Sequence, residues 1–221
     1  MLAKDLISDE VPFLKTSDTG MYAMHLMEIF RVSQLPIVNN KEFLGLIADT
    51  DILDMNEPEE AIGNHHLSLT KPFVTAYQHI YEVIDAMARM EISLVPVLDD
   101  NNHYLGVILA NDIIKWLASL FSLKQPGCVL VLEVRNTDYS LTEIAKIIEE
   151  NDTKILSLYI SANKESDLLE VNIKINKVDP VSVIATFERY NYKVKAFYTE
   201  STELDDLYNE RFKLLMRYLN T

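Results

Sequence analysis

Residues 35–53 read LPIVNNKEFLGLIADTDIL, and residues 95–114 read VPVLDDNNHYLGVILANDII. Pro36 is answered by Pro96 at sixty positions, whereas Gly45 is answered by Gly106 and Asp51 by Asp112 at sixty-one. The extra residue falls in the polar turn, where a hairpin absorbs an insertion without disturbing its strands. Each copy spells a short apolar strand, a polar turn, a second apolar strand, and an Asp in the first turn of a helix. A duplication of this kind decides the fold before any other feature, because each unit buries its apolar face on its like.

Working outward, residues 11–14 (VPFL) predict a short strand ahead of the first copy, and Pro72-Phe73 repeats Pro12-Phe13 ahead of the second. Between strand and hairpin lies a helix in each copy. Residues 19–32 place Tyr22, Leu26, Ile29 and Phe30 at helical spacing, and residues 79–90 place Ile80, Val83, Ile84, Met87 and Met90 likewise. Residues 56–64, NEPEEAIGN, are polar and broken by Pro and Gly, which marks the linker between copies. The helix closing the second copy, residues 111–123, is apolar on several sides, so part of it is expected at a subunit interface.

After Gln125-Pro126-Gly127 the rhythm changes. Residues 128–134 form an apolar strand, and Ser140-Leu141-Thr142-Glu143 reads as a capping box opening a helix with Leu141, Ile144, Ile147 and Ile148 inward. Asn151 is the expected left-handed residue that closes it. Residues 154–161 alternate with Leu156, Leu158 and Ile160 on one face, and residues 168–175 with Leu169, Val171, Ile173 and Ile175 inward. Asp179-Pro180 opens a further helix, and residues 193–199 close the set. The order βαββαβ is the ferredoxin-like arrangement. The expected organisation is α+β: a repeat pair over 1–124 (1–58 and 59–124), a second domain over 125–199, and a C-terminal amphipathic helix over 200–221.

The 221 residues carry 20 Lys and Arg against 34 Asp and Glu, a net charge of −14. Residues 1–60 alone hold four basic and twelve acidic side chains, a net of −8. So acidic a chain is a poor partner for phosphate backbones or anionic lipid, and no apolar run nears the length of a membrane span. The single cysteine, Cys128, excludes an intrachain disulfide and fits a reducing, cytoplasmic setting. His65-His66 lacks metal-ligand spacing, and five glycines form neither a dinucleotide fingerprint nor a phosphate loop. No nucleophile or metal motif is present in the sequence, so an enzyme is not expected.

The two quoted stretches resemble the CBS (cystathionine β-synthase-type) motif, in which apolar-Pro-apolar is followed by a turn and Gly-apolar-apolar-(Ser/Thr)-x-x-Asp. The resemblance implies a tandem pair of β-α-β-β-α repeats with pseudo-two-fold symmetry and two clefts for adenosine-type ligands, among them AMP, ADP, ATP and S-adenosylmethionine. It places Asp51 and Asp112 on the ribose hydroxyls, Thr50 and Asn111 at the helix mouths, and Ile37 and Val97, with Pro36 and Pro96, beside the base. Ala48 and Leu109 stand where the family has its Ser or Thr. With Asp49 adding negative charge to the first helix mouth, the second cleft is expected to rank above the first for a phosphorylated nucleotide. The first is expected to prefer a nucleoside or a cationic ligand.

Residues 127–199 resemble an ACT domain, a βαββαβ module that commonly binds amino acids at a dimer interface. The loop that carries such ligands corresponds to Asn136, Thr137, Asp138 and Tyr139, with Asp138 replacing the usual Pro and Tyr139 the usual Gly. The combination is similar to bacterial acetoin-utilisation-type CBS–ACT regulators. Two functions follow: a homodimeric sensor of an adenosine-type small molecule, with no resident cofactor, or a ligand-free scaffold that binds an unidentified protein partner.

Overall fold

The computed structural model describes residues 1–65, 69–162 and 167–199. The chain divides into two compact units, Met1–Trp116 and Leu117–Thr221. In the first, α1 (Gly20–Phe30) starts where the Thr19 hydroxyl accepts the Tyr22 N–H at 3.1 Å, satisfying a donor that the first helical turn leaves unpaired. The antiparallel hairpin β1 (Gln34–Asn39) and β2 (Glu42–Ala48) follows, then the short α2 (Asp49–Leu53). The second repeat gives β3 (Val74–Thr75), α3 (Ile80–Met90), β4 (Leu94–Leu98), β5 (Tyr104–Leu109) and α4 (Ala110–Leu120). The duplication extends to irregularities. Both hairpins slip register at equivalent points, Ile37/Val38 and Val97/Leu98, and α1 and α3 both end on a left-handed residue, Arg31 and Glu91 at φ 54°.

Three sequence expectations change here. The strand at residues 11–14 is reduced to one parallel bridge, Leu14 to Ile37. On α1 the buried face is Gly20, Ala23, Leu26 and Met27, while Tyr22 and Ile29 are exposed. The small residues win because the helix runs close to its neighbours: a Cβ on Gly20 would lie 3.0 Å from the Met55 sulfur and 3.1 Å from Ile52. On α3, Met90 is exposed and Ala86 takes a place on the buried face.

The core of this unit draws on both copies. Leu14, Leu35, Ile37, Leu46 and Ile47 of the first share one cluster with Leu94, Leu98 and Val107 of the second. Each such side chain contributes about 1.5–3 kcal/mol on full burial. The repeats also exchange their lead-in segments. Ser8 bridges Val107, and Ala3 and Lys4 donate to the Gln78 and Ala76 carbonyls, so the start of the chain lies on the second copy. Thr70 in turn bridges Leu46 on the first. At the pseudo-dyad, the Ser33 hydroxyl donates to Ser93 Oγ at 3.2 Å and the Ser93 N–H donates to Gln34 Oε1 at 3.2 Å.

The second unit holds β6 (Cys128–Arg135), α5 (Leu141–Glu149), β7 (Ile155–Ala162), β8 (Leu168–Ile175), α6 (Val181–Arg189) and β9 (Lys193–Thr199). The sheet order β7-β8-β6-β9, antiparallel throughout, is the ferredoxin-like topology. Leu130, Leu132, Ile144, Ile147, Ile173 and Phe187 are fully buried between sheet and helices. Ser140 caps α5 by accepting the Glu143 N–H at 3.3 Å. Leu141 is exposed, and the left-handed residue after α5 is Asp152 (φ 53°) rather than Asn151. Asn151 instead donates to the Ile147 carbonyl at 2.8 Å. A register shift between Ile155 and Ser157 puts Ile155, in place of Leu156, against the core beside Leu158.

No helix among the described residues is long and apolar enough to cross a membrane. The amphipathic helix expected over 200–221 lies outside the described residues.

Candidate functional site

The exchanged lead-ins shape the candidate site. In both repeats the motif glycine has a positive φ, 153° at Gly45 and 150° at Gly106, a conformation an L side chain strains to adopt. The space above each glycine is already taken. A Cβ on Gly45 would come 2.7 Å from the Leu69 Cβ, and one on Gly106 would come 2.5 Å from Ile7 Cγ2. Glycine is therefore what lets each lead-in run flush along the other copy's hairpin.

Where residues 5–10 pass the start of α4, a cavity of about 540 Å³ opens, with Asp5, Ser8, Asp9 and Glu10 on one side and Asp112, Lys115 and Trp116 on the other. Asp112 Oδ1 accepts a hydrogen bond from Lys115 Nζ at 2.9 Å, and that carboxylate holds the ammonium pKa above its ordinary value. The Lys115 side chain is mostly exposed, so the pair is weak and an incoming hydroxyl can displace it. No hydrogen bond or ion pair engages the Asp9 or Glu10 carboxylate among the described residues. Beside the cleft, burial pushes the Tyr104 phenol well above the ordinary range, and the Asp9 charge adds to the effect. That ring stays neutral and stacks edge-on against Phe13 at 5.7 Å.

The corresponding carboxylate of the first repeat, Asp51, turns back on its own helix: Oδ2 accepts the Ala48 N–H at 2.8 Å. Asp49, the first residue of α2, borders a separate hollow of about 500 Å³ with Met21, Met24, His25 and Glu28. Of the eight residues assigned to the clefts from sequence, only Asp112 lines the described cavity at α4. Thr50 and Asn111 are exposed at their helix starts. Ile37, Val97, Pro36 and Pro96 are buried in the strands, so their side chains face the core and only their backbone can border a ligand. Sequence reasoning missed Lys115 and Trp116, although both follow Asp112 within one helical turn, and it missed the lead-in carboxylates.

In the second unit, Asn136, Thr137 and Asp138 form an exposed 3-10 turn in which Thr137 Oγ1 lies 3.0 Å from Asp138 Oδ1. Tyr139 is half-buried and packs on the hydrophobic core. His65 sits in a loop with its Nε2 buried and without a hydrogen-bond partner among the described residues; His66 lies outside them. The described residues hold no group of three or more His, Cys, Asp and Glu arranged to bind a metal.

The sequence profile of the CBS domain matches residues 3–56 and 66–119. The chain carries two CBS domains in tandem. Among proteins similar to this chain, the inosine-5'-monophosphate dehydrogenase of Methanocaldococcus jannaschii is 27% identical over 116 residues, covering 51% of this chain and 23% of that protein. The enzyme of the same name from Bacillus subtilis is 27% identical over 183 residues, 79% of this chain and 37% of that one. The chain thus spans between 23% and 37% of the length of these curated relatives. A solved CBS domain pair/ACT domain protein from Thermotoga maritima aligns with a TM-score of 0.48 at 20% identity, covering 54% of this chain and 98% of that one.

Proposed function

We propose that the chain is a regulatory sensor whose CBS pair binds an adenosine-type small molecule in the Asp112 cleft and passes its state on through a homodimer in the cytoplasm. The observation that carries this reading is the composition of the cleft wall. One side comes from the first repeat's lead-in, the other from the start of the second repeat's last helix. A ligand held there touches both copies, so it stabilises whichever packing of the pair brings the two walls to the right separation. A carboxylate at the mouth of α4 suits a ribose diol, and Trp116 offers an apolar face to a base. The coupling typical of such switches is about 1–3 kcal/mol.

A thermal-shift panel of adenosine, AMP, ADP, ATP and S-adenosylmethionine tests the reading. A ligand at one hundred times its dissociation constant adds about 2.7 kcal/mol of apparent stability, and Asp112→Ala must remove the shift. Light scattering that returned a monomer, with and without that ligand, would remove the dimer from the proposal. The packing of Tyr139 onto the core favours a second reading for the other unit, an assembly module without an amino-acid ligand. If the scaffold reading holds for the whole chain, the panel is silent.

A further inference from the structure

The cleft at Asp112 is selective by charge. We infer that its ligand is a nucleoside whose free arm is cationic, and that the cleft discriminates against phosphorylated nucleosides. This rests on the reading of the cleft as an adenosine-type site and specifies which member of that class it takes. Four carboxylates, those of Asp5, Asp9, Glu10 and Asp112, line the cavity against one ammonium, Lys115, which is already paired to Asp112. Asp5 spends one oxygen on the Leu2 N–H at 2.8 Å, while Asp9 and Glu10 remain exposed on the wall that faces α4.

The position of this charge matters more than its amount. A ribose held by Asp112 at the α4 end leaves its 5′ substituent the lead-in wall, where the Asp9 and Glu10 carboxylates lie outside any ion pair among the described residues and Glu10 acts on Lys115 only through its charge. The motif hydroxyl that would receive a phosphate is absent, since Leu109 occupies that place at the end of β5. A triphosphate there meets like charge on one wall and no dedicated donor. An ammonium or sulfonium arm meets the carboxylates of Asp9 and Glu10, neither of which is held in a hydrogen bond or ion pair among the described residues. The concentration of acidic residues in the first sixty positions thereby acquires a local purpose: part of it faces the second repeat's cleft. The sequence alone ranked this cleft above the first for a phosphorylated nucleotide; the inference gives it a cationic nucleoside instead.

Trp116 is the only tryptophan and lines the cleft, so its fluorescence reports occupancy of this site alone in the full-length chain. Titrations use adenosine, ATP without divalent cations, and S-adenosylmethionine, at about 10 mM and about 150 mM salt, where the screening length falls from about 30 to about 8 Å. The expected order at low salt is S-adenosylmethionine tightest, adenosine next, and ATP weaker than S-adenosylmethionine by about tenfold or more, with the gap contracting at the higher salt. The double variant Asp9→Asn/Glu10→Gln should narrow the same gap at low salt while adenosine binds as before. ATP binding as tightly as adenosine or tighter at low salt would overturn the charge inference and leave the nucleoside reading standing. Silence from all three ligands, with the protein folded by circular dichroism, would overturn both.

Discussion

Replacing Gly106 by Ala tests whether the passage of the lead-in over the second hairpin is as tight as described. Two penalties add. The φ of 150° is strained for any L residue, which costs about 1–3 kcal/mol. The new methyl also sits 2.5 Å from Ile7 Cγ2 and 3.4 Å from the Ser8 carbonyl, so Ile7 must give way. Overpacking of this kind costs about 1–3 kcal/mol where the neighbour is a side chain that can partly yield. The sum is about 2–6 kcal/mol, a large share of the 5–15 kcal/mol margin of an ordinary domain. Urea unfolding followed by Trp116 fluorescence reads the first unit, and an unchanged m-value keeps the comparison valid. The Ile7→Ala background separates the two penalties, since it removes the clash and leaves the backbone strain. A coupling of about 1 kcal/mol is expected between the two substitutions. A Gly106→Ala protein within about 0.5 kcal/mol of the parent would refute the geometry argued for this strand crossing.

In the second unit, Phe187→Ala empties the centre of the core and should cost about 3–5 kcal/mol by urea unfolding followed by circular dichroism. Ser140→Ala removes the α5 cap and should cost about 1 kcal/mol, with Ser140→Asp recovering most of it. Tyr192→Phe deletes the hydroxyl that donates to Glu143 at 2.6 Å; with the carboxylate partly exposed, a loss near 1 kcal/mol is expected from denaturation. Asp99 accepts the His103 and Asn101 N–H groups, each at 2.8 Å, and the first of these chiefly holds its carboxyl below the ordinary 3.8. A lowered folded value stabilises above the unfolded one, so this contribution is present above about pH 4 and is lost as the pH falls through the folded value. An NMR titration that placed Asp99 at or above 3.8 would contradict the turn geometry.

Much of the first unit was legible because its decisive residues are conformational. Pro36 and Pro96, Gly45 and Gly106, and Asp51 and Asp112 mark strand, crossing and helix start, and each pair occupies equivalent places in the folded chain. Helix faces were read less well. Apolar spacing put Tyr22 and Ile29 inside, whereas close approach to neighbouring residues selects Gly20 and Ala23, which carry little hydrophobic signal. In β7 an irregular register moves the inward position from Leu156 to Ile155, and alternation alone has no means of marking such a bulge. Of the cleft, Asp112 could be named in advance. Its opposite wall could not, because Ser8 reaches Val107 through backbone bonds that any residue can make and that leave no periodic trace.

That reciprocal crossing bears on how the gene for such a protein can be cut or duplicated. Half a molecule, ending in the polar linker at residues 56–64, owns a lead-in with no hairpin to lie on and a hairpin with no lead-in to cover it. Two such halves can complete each other only by trading arms, so a single excised copy is predicted to assemble as an intertwined pair. A chain nicked between the copies is likewise predicted to stay whole on a sizing column, each fragment still carrying the other's missing piece.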